Sequence, residues 1–289
     1  MEQTLIGQIL ALGASLCGAS SSLLYNRLGK KAKSYTLACV RMFIAVPIIL
    51  IWSLLSNGLV IPSNHDIIVL LISGIIGFFI TDLFLFKGYV AWGPRQTMVV
   101  MCLSPVLSAV LAFIFMGEKL SGLQITGIAM TLLGVILMVG ADLKNTKFTT
   151  GALIALAAAI FQSISDITAK SVLSDIPWLC GSFLRSFGGV CCWIVWAMIK
   201  GKGFKTDTLP IRNRKTFALL FITVMLGTVL GTSFSTGALK FAPAGIVSSL
   251  KQTSSVFILL WEVLVMHKKL TLFSILGTLI SVAGVFLLF

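Results

Sequence analysis

The chain of 289 residues is 57% hydrophobic and only 11% charged, and its mean hydropathy is +1.05. This composition excludes an ordinary soluble domain, in which about a quarter of the residues are charged. The formal net charge of +13 would suggest nucleic-acid binding in a soluble protein. Here most of the lysines and arginines stand in short loops between apolar stretches, as in the cytoplasmic loops of membrane proteins, and we expect no nucleic-acid partner.

Apolar stretches of roughly 20 residues, each long enough to cross a bilayer core of about 30 Å, recur from one end of the chain to the other. Turn residues such as Gly93-Pro94 separate them, whereas Pro47 and Pro105 fall within stretches that we expect them to kink. The sequence predicts an all-α polytopic protein of the cell membrane with ten transmembrane helices. The predicted spans are approximately Thr4–Tyr25, Ser34–Leu55, Asp66–Gly88, Gln96–Met116, Gly122–Val139, Thr150–Val172, Trp178–Ile199, Thr216–Lys240, Ala244–Met266 and Leu272–Phe289.

The end of the first half of the chain is repeated at the end of the second. Met116–Leu137 and Met266–Leu287 are offset by 150 positions and share 8 of 22 residues, where apolar composition alone would give about two matches. Each copy carries two glycines seven residues apart, ending at Gly134 and Gly284. These glycines lie on one helical face, and we interpret them as residues that let neighbouring membrane helices pack closely.

The front of each half repeats as well, at an offset of 144 that aligns Arg41 with Arg185. The chain therefore divides into two five-helix repeats, residues 1–144 and 145–289. Because five is an odd number, the two repeats must enter the membrane in opposite directions. The sequence thus predicts the inverted-repeat architecture that many secondary transporters share.

The distribution of basic residues predicts the orientation of the chain. Loops after the odd-numbered spans hold 16 lysines and arginines, whereas the other loops hold only 3. Because basic loops stay in the cytoplasm, the count places the odd-numbered loops, including Lys200–Lys215, inside and both termini outside.

Several motifs resemble the drug/metabolite transporter superfamily, and within it the EamA type. These are the arginine early in the second helix of each half, in Val40-Arg41-Met42-Phe43 and Leu184-Arg185-Ser186-Phe187, and the Gly117-Glu118-Lys119-Leu120 turn before the last helix of the first half. The second half departs from the last motif, with His267-Lys268 in place of Gly-Glu. The resemblance covers nearly the whole chain and implies a transporter of unspecified substrate. It also implies cytoplasmic termini, against the charge count, which we retain.

Ionisable side chains at membrane depth are functional candidates because each costs several kcal/mol unless it is paired or hydrated. On the predicted topology, Arg41 and Asp82 fall near the cytoplasmic mouth of a central cavity, and Asp166, Arg185 and Lys251 near the outer mouth. We interpret the two arginines as structural interhelical charges, since long side chains near helix ends can reach the interface. Glu262 joins this structural group, with a lysine six or seven residues later to neutralise it.

Polar residues cluster in the sixth and ninth predicted spans, around Asp166 and Lys251. We expect these two side chains to come within reach of each other or of one shared ligand, because each would be costly alone. Lys251 suits a carboxylate or another anion on the substrate, Asp166 suits an amine, and a zwitterion would satisfy both. The candidate substrate-binding residues are Ser22, Asn26, Asp82, Gln162, Asp166, Thr232, Ser248, Lys251, Gln252 and Ser255.

Among function classes, a secondary transporter of a small polar organic metabolite, such as an amino acid, working by alternating access best explains these features. The alternative is a flippase or transporter of a lipid or lipid-linked amphipathic substrate, and a lateral opening in the structure, wide enough for a lipid tail, would favour it. A membrane enzyme is not expected, because no HExxH, GxSxG or P-loop pattern occurs and His65 and His267 are far apart. We expect no catalytic residues, metal site or cofactor. The expected partners are the small-molecule substrate and the lipid bilayer, and the sequence leaves open whether the chain forms a homodimer.

The orientation is testable with reporter fusions after Phe289. Because of the basic asymmetry, we expect alkaline phosphatase fused there to be active and a fluorescent protein that folds only in the cytoplasm to be dark. The reverse pattern would show that the charge count assigns the wrong orientation.

Overall fold

The computed structural model is helical throughout the residues that it describes, which contain no strand. Six of its helices are long and apolar enough to cross a membrane, so the protein is a multi-pass membrane protein. The described residues are 2–29, 34–57, 60–92, 97, 100–140, 150–200, 214–254, 256–257 and 272–287.

The helices follow the predicted spans closely at most of their described ends. The helices of the third and eighth predicted spans each contain a short π-helical segment between two α-helical segments. In chain order the segments are α1 Glu2–Gly29, α2 Ser34–Asn57, α3 Asn64–Gly74, π1 Ile75–Ile80, α4 Thr81–Ala91, α5 Ser104–Met116, α6 Gly122–Gly140, α7 Thr150–Lys170, α8 Trp178–Lys200, α9 Arg214–Val224, π2 Met225–Leu230, α10 Gly231–Phe241, α11 Ala244–Gln252 and α12 Leu272–Phe286.

The two prolines within predicted spans behave differently. Pro47 lies inside α2, as expected. Pro105 occupies the first turn of α5, which begins at Ser104, so the expected kink at Pro105 is wrong. Proline is well suited to a helix start, where its missing N–H would have no partner in any case, and the chain turns just before it.

Large apolar side chains cover the outside of the helices. Leu55, Phe115, Met198 and Phe286 are each more than 70% exposed, at 82%, 74%, 76% and 76%. Water would make such surfaces unfavourable, whereas lipid tails solvate them well. Small and hydroxyl-bearing residues occupy the interior, so the helices approach one another closely.

Several loops meet at one end of the bundle and close it. The start of α1 packs against the end of α10, where a Cβ on Gly7 would lie 2.6 Å from that of Ala242. The rings of Trp52, at the end of α2, and Trp178, at the start of α8, meet edge to face at 5.8 Å. Ile176, in the turn before α8, is 3% exposed. We call this the closed end.

Helices α6 and α12 contact each other through glycines in a reciprocal pattern. A Cβ on Gly134 would lie 2.5 Å from the Gly277 carbonyl oxygen, and one on Gly284 would lie 2.5 Å from the Thr131 amide nitrogen. Gly284 follows Gly134 by 150 residues, and Gly277 lies seven residues before it. The interpretation of these glycines as packing residues is confirmed, because any side chain would separate the helices.

We expect Gly134→Ala to lower the free energy of unfolding by about 1–3 kcal/mol, because the new methyl group meets backbone that cannot move aside. Gly122→Ala, in the same helix, is the matched control: a Cβ there meets nothing within 4 Å. The test compares the melting temperatures of the two purified variants, and that of Gly134→Ala should be the lower. Equal melting temperatures would contradict the close contact of α6 with α12.

Candidate functional site

A cavity of about 360 Å³ lies among helices from both halves of the chain. Segments α1, α2, π1, α4, α7, α8, π2, α10 and α11 all contribute to its wall. The wall is rich in charged and hydroxyl-bearing side chains, an uncommon lining inside a membrane protein and one typical of a polar solute site. Its polar residues are Ser15, Arg41, Asp82, Gln162, Asp166, Arg185, Thr228, Thr232, Ser235, Lys251 and Ser254.

Asp166 lies between two cations in this wall. The Lys251 ammonium donates to one carboxylate oxygen at 3.1 Å, and the Arg185 guanidinium donates to the other at 3.2 Å. The expected meeting of Asp166 with Lys251 is therefore confirmed. The side chains of Asp166 and Arg185 are 1% and 2% exposed, whereas that of Lys251 is 26% exposed. We call these three residues the charge cluster.

The buried guanidinium of Arg185 is held from several directions. It donates to the hydroxyl groups of Ser165 at 3.1 Å and Thr236 at 3.3 Å, and it lies 5.3 Å from the centre of the Phe78 ring. Ser165 is itself fixed, because its hydroxyl donates to the Ser73 carbonyl at 2.7 Å. Such a network compensates for the loss of hydration that burial of the guanidinium entails.

Arg41 and Asp82 form a second ion pair in the cavity wall. Asp82 lies in the first turn of α4, directly after π1, so the π segment determines where its carboxylate projects. The sequence interpretation assigned Arg41 and Arg185 to interhelical charge pairs. The structure places both arginines in such pairs and, in addition, in the wall of the cavity.

Two further candidates, Gln162 and Thr232, also line the cavity, although the Thr232 hydroxyl donates to the Thr228 carbonyl of its own helix. Ser254 lines it as well, next to the predicted Ser255, which lies outside the described residues. Glu262 and the side chain of Asn26 also lie outside them.

The structure does not bring Ser22, Ser248 or Gln252 to the cavity wall. Ser22 donates to the Ala19 carbonyl at 2.8 Å, a bond within its own helix. Ser248 donates to the Ser108 hydroxyl at 3.1 Å, and Gln252 to the Met101 carbonyl at 3.0 Å. The last two residues hold α11 against neighbouring parts of the chain. Hydroxyl and amide groups in membrane helices commonly serve this packing role.

Sequence reasoning gave no role to Glu118 at the closed end. Its carboxylate pairs with the Lys170 ammonium at 2.6 Å and accepts the Ala244 amide at 3.1 Å, at the first residue of α11. Lys170 also donates to the Ala242 carbonyl. We call Glu118 and Lys170 the closing pair. The signal in the sequence was the difference between Gly117-Glu118 and His267-Lys268, which marked the glutamate as specific to one half.

The charge cluster should respond unequally to loss of its members. Asp166→Asn leaves the buried Arg185 and the partly exposed Lys251 without an anion, and we expect it to lower the free energy of unfolding by about 3–5 kcal/mol. Lys251→Gln leaves a neutral Asp166–Arg185 pair and removes a charge that is already partly exposed, so its effect should be at most a third as large. Melting temperatures of the purified variants test this order, and equal losses would contradict the central position of Asp166.

Comparisons with known proteins agree with this architecture. The chain is similar to the probable terminal-alkyne amino-acid exporter of Streptantibioticus cattleyicolor, with 27% identity over 149 residues. This match covers 52% of the chain and 46% of the exporter, so it spans about half the length of that relative. The uncharacterized transporter YyaM of Bacillus subtilis is 24% identical over 76% of the chain and 74% of its own length. A crystal structure shares the fold at 16% identity, with a TM-score of 0.81 over 97% of this chain and 95% of that one. Residues 5–140 and 149–289 each match the model of the EamA-like transporter family, and the protein belongs to that family.

Proposed function

We propose that the protein is a secondary transporter that moves a small polar organic metabolite, an amino acid or a related solute, across the cell membrane. The observation that carries the proposal is the polar cavity between the two halves, with two ion pairs in its wall. A pocket of this polarity is unfavourable inside a membrane unless it holds a polar ligand or water. The relative named as an amino-acid exporter supports the same class of cargo.

The repeated features of the chain support ten membrane crossings in two inverted repeats, residues 1–144 and 145–289. Segments π1 and π2 begin 150 residues apart, at Ile75 and Met225. The contact of α6 with α12 is reciprocal, as expected when a two-fold axis relates two copies of one unit. The separate family matches over 5–140 and 149–289 support the same division.

The closing pair supports transport by alternating access. At the closed end, Glu118 links the turn after α5 to the end of α7 and to the start of α11. A solute can pass this end only after these contacts separate, so opening there requires the ion pair to break. On the predicted topology, the closed end faces outward and the structure corresponds to an outward-closed state.

The alternative cargo, a lipid or lipid-linked molecule, is less well supported. An apolar groove of about 520 Å³ does lie between α5 and α6, lined by residues such as Val110, Phe113 and Ile125. These side chains are 48%, 60% and 55% exposed, on the surface that the bilayer covers. The groove shares no described lining residue with the polar cavity, so an acyl chain held there would not reach the charge cluster.

A cavity plug tests the proposed function. Gly18 lines the cavity, and a Cβ there meets nothing within 4 Å, so Gly18→Trp should place an indole in the cavity without distorting α1. We expect this variant to lose at least 90% of solute uptake into proteoliposomes while it keeps a normal melting temperature. Gly122→Trp, at an equally open glycine outside the cavity, is the matched control and should transport normally.

The assay uses radiolabelled amino acids and hydroxy acids, with a fluorescent phospholipid and an external quencher as the arm for lipid flipping. Uptake that persists in Gly18→Trp would contradict transport through the cavity. Lipid flipping by the wild-type protein without uptake of any solute would favour the alternative cargo.

A further inference from the structure

The charge cluster contains two cations and one anion, and this excess distinguishes it from the other ion pair of the cavity. Asp166 is shared by Arg185 and Lys251, whereas Arg41 and Asp82 balance each other. The described lining of the cavity includes no further ionisable side chain. Among the described lining residues, the cavity therefore carries one positive charge in excess of its carboxylates. Such a charge is costly unless a counter-ion joins it.

The excess charge is accessible at Lys251. Its ammonium has three N–H donors, and among the described residues it makes one hydrogen bond, to Asp166. The side chain is 26% exposed and lines the cavity, in contrast to the fully buried Arg185. The Nε of Arg185 has no hydrogen-bond partner in the described part of the chain. The Lys251 ammonium thus has unused donors at the cavity from which an anion can accept, whereas the Arg185 Nε is itself buried.

The acids of the cavity are already occupied. Both carboxylate oxygens of Asp166 accept from cations, and Asp82 is paired with Arg41. A zwitterionic substrate carries its own ammonium group and would leave the net charge of the site unchanged. A carboxylate without an ammonium group would instead neutralise the site. The zwitterion that the sequence suggested is therefore the poorer match.

We propose that the substrate is a small organic monoanion, a monocarboxylate with hydroxyl rather than amino substituents, whose carboxylate binds the Lys251 ammonium. This inference rests on the proposed function and names the substrate class of the same cavity. Hydroxyl side chains of Thr228, Ser235 and Ser254 line the remaining wall and can hydrogen-bond a hydroxyl group on the substrate in either direction. When the substrate carboxylate binds the Lys251 ammonium, Asp166 remains paired with Arg185.

Matched pairs of acids isolate the effect of the amino group. L-lactate and L-alanine, 2-hydroxy-4-methylpentanoate and leucine, and phenyllactate and phenylalanine are similar in size, and each pair differs by a hydroxyl in place of an ammonium. Melting temperatures of the purified full-length protein over a series of ligand concentrations give the dissociation constants. We expect the hydroxy acid to bind at least tenfold more tightly than its amino acid in at least one pair. The inference is overturned if no hydroxy acid binds more tightly than its partner, or if none binds.

The role of Lys251 is tested by Lys251→Gln, with Lys119→Gln at an exposed lysine outside the cavity as the control. The first variant should lose the preference for the hydroxy acid, and the second should keep it. A preference that survives in Lys251→Gln would overturn the assignment of the carboxylate to this lysine. If Lys251→Gln fails to fold, the wild-type comparison still decides the substrate class.

Uptake into proteoliposomes separates this inference from the proposed function. Tight binding of hydroxy acids without uptake would support the anion site and contradict transport. Uptake of amino acids together with tighter binding of amino acids would support transport and contradict the anion site.

Discussion

The Asp166 carboxylate is the group on which the centre of this protein depends. It is almost fully buried at membrane depth and binds one cation on α8 and another on α11. An isolated charge at this depth would carry a large free-energy cost. The two ion pairs of Asp166 therefore hold α7, α8 and α11, three helices of the second half, against one another. The same guanidinium reaches Phe78 in π1 and thereby connects the first half to this point. Under the proposed function, structural cohesion and ligand recognition therefore share one set of charges.

The hydroxyl groups of the interior divide into two functions that composition alone does not separate. Some donate to carbonyls of their own helix, as Ser22 does, or to a neighbouring helix, as Ser248 does. Others, such as Ser235 and Ser254, face the cavity. Serine and threonine can do either at little cost, because a membrane helix always offers a carbonyl three or four residues earlier. The backbone geometry, and not the residue type, decides which hydroxyl groups a solute meets.

Much of the helical pattern and the contact of Asp166 with Lys251 could be predicted from the sequence, for energetic reasons. Apolar length marks a span, and the cost of an unpaired charge predicts that Asp166 and Lys251 meet. The π segments could not be predicted, because no residue in Ile75–Ile80 or Met225–Leu230 signals an extra residue in the turn. These segments nevertheless contribute four residues to the cavity wall, Gly77, Phe78, Gly227 and Thr228. The closing pair escaped prediction because Glu118 lies in a turn outside the predicted spans, where a charge needs no partner, and only the tertiary fold brings it to Lys170.

Among the described residues the closing pair lies at one end of the protein, and the matching positions of the repeat hold no equivalent pair. In the repeat alignment, Lys268 of the second half corresponds to Glu118, and Asn26 of the first half corresponds to Lys170. A lysine and an asparagine cannot form an ion pair with each other. Under the two-fold relation proposed above, the two ends therefore close with different free energies, and the empty protein favours the conformation that the pair stabilises. Under the proposed alternating access, substrate arriving at the face that the pair closes would meet a smaller competent population, so its half-saturating concentration should be higher there than at the opposite face. The proposed carrier would thus be asymmetric in apparent affinity, while the gradients that drive it still determine the direction of net flow.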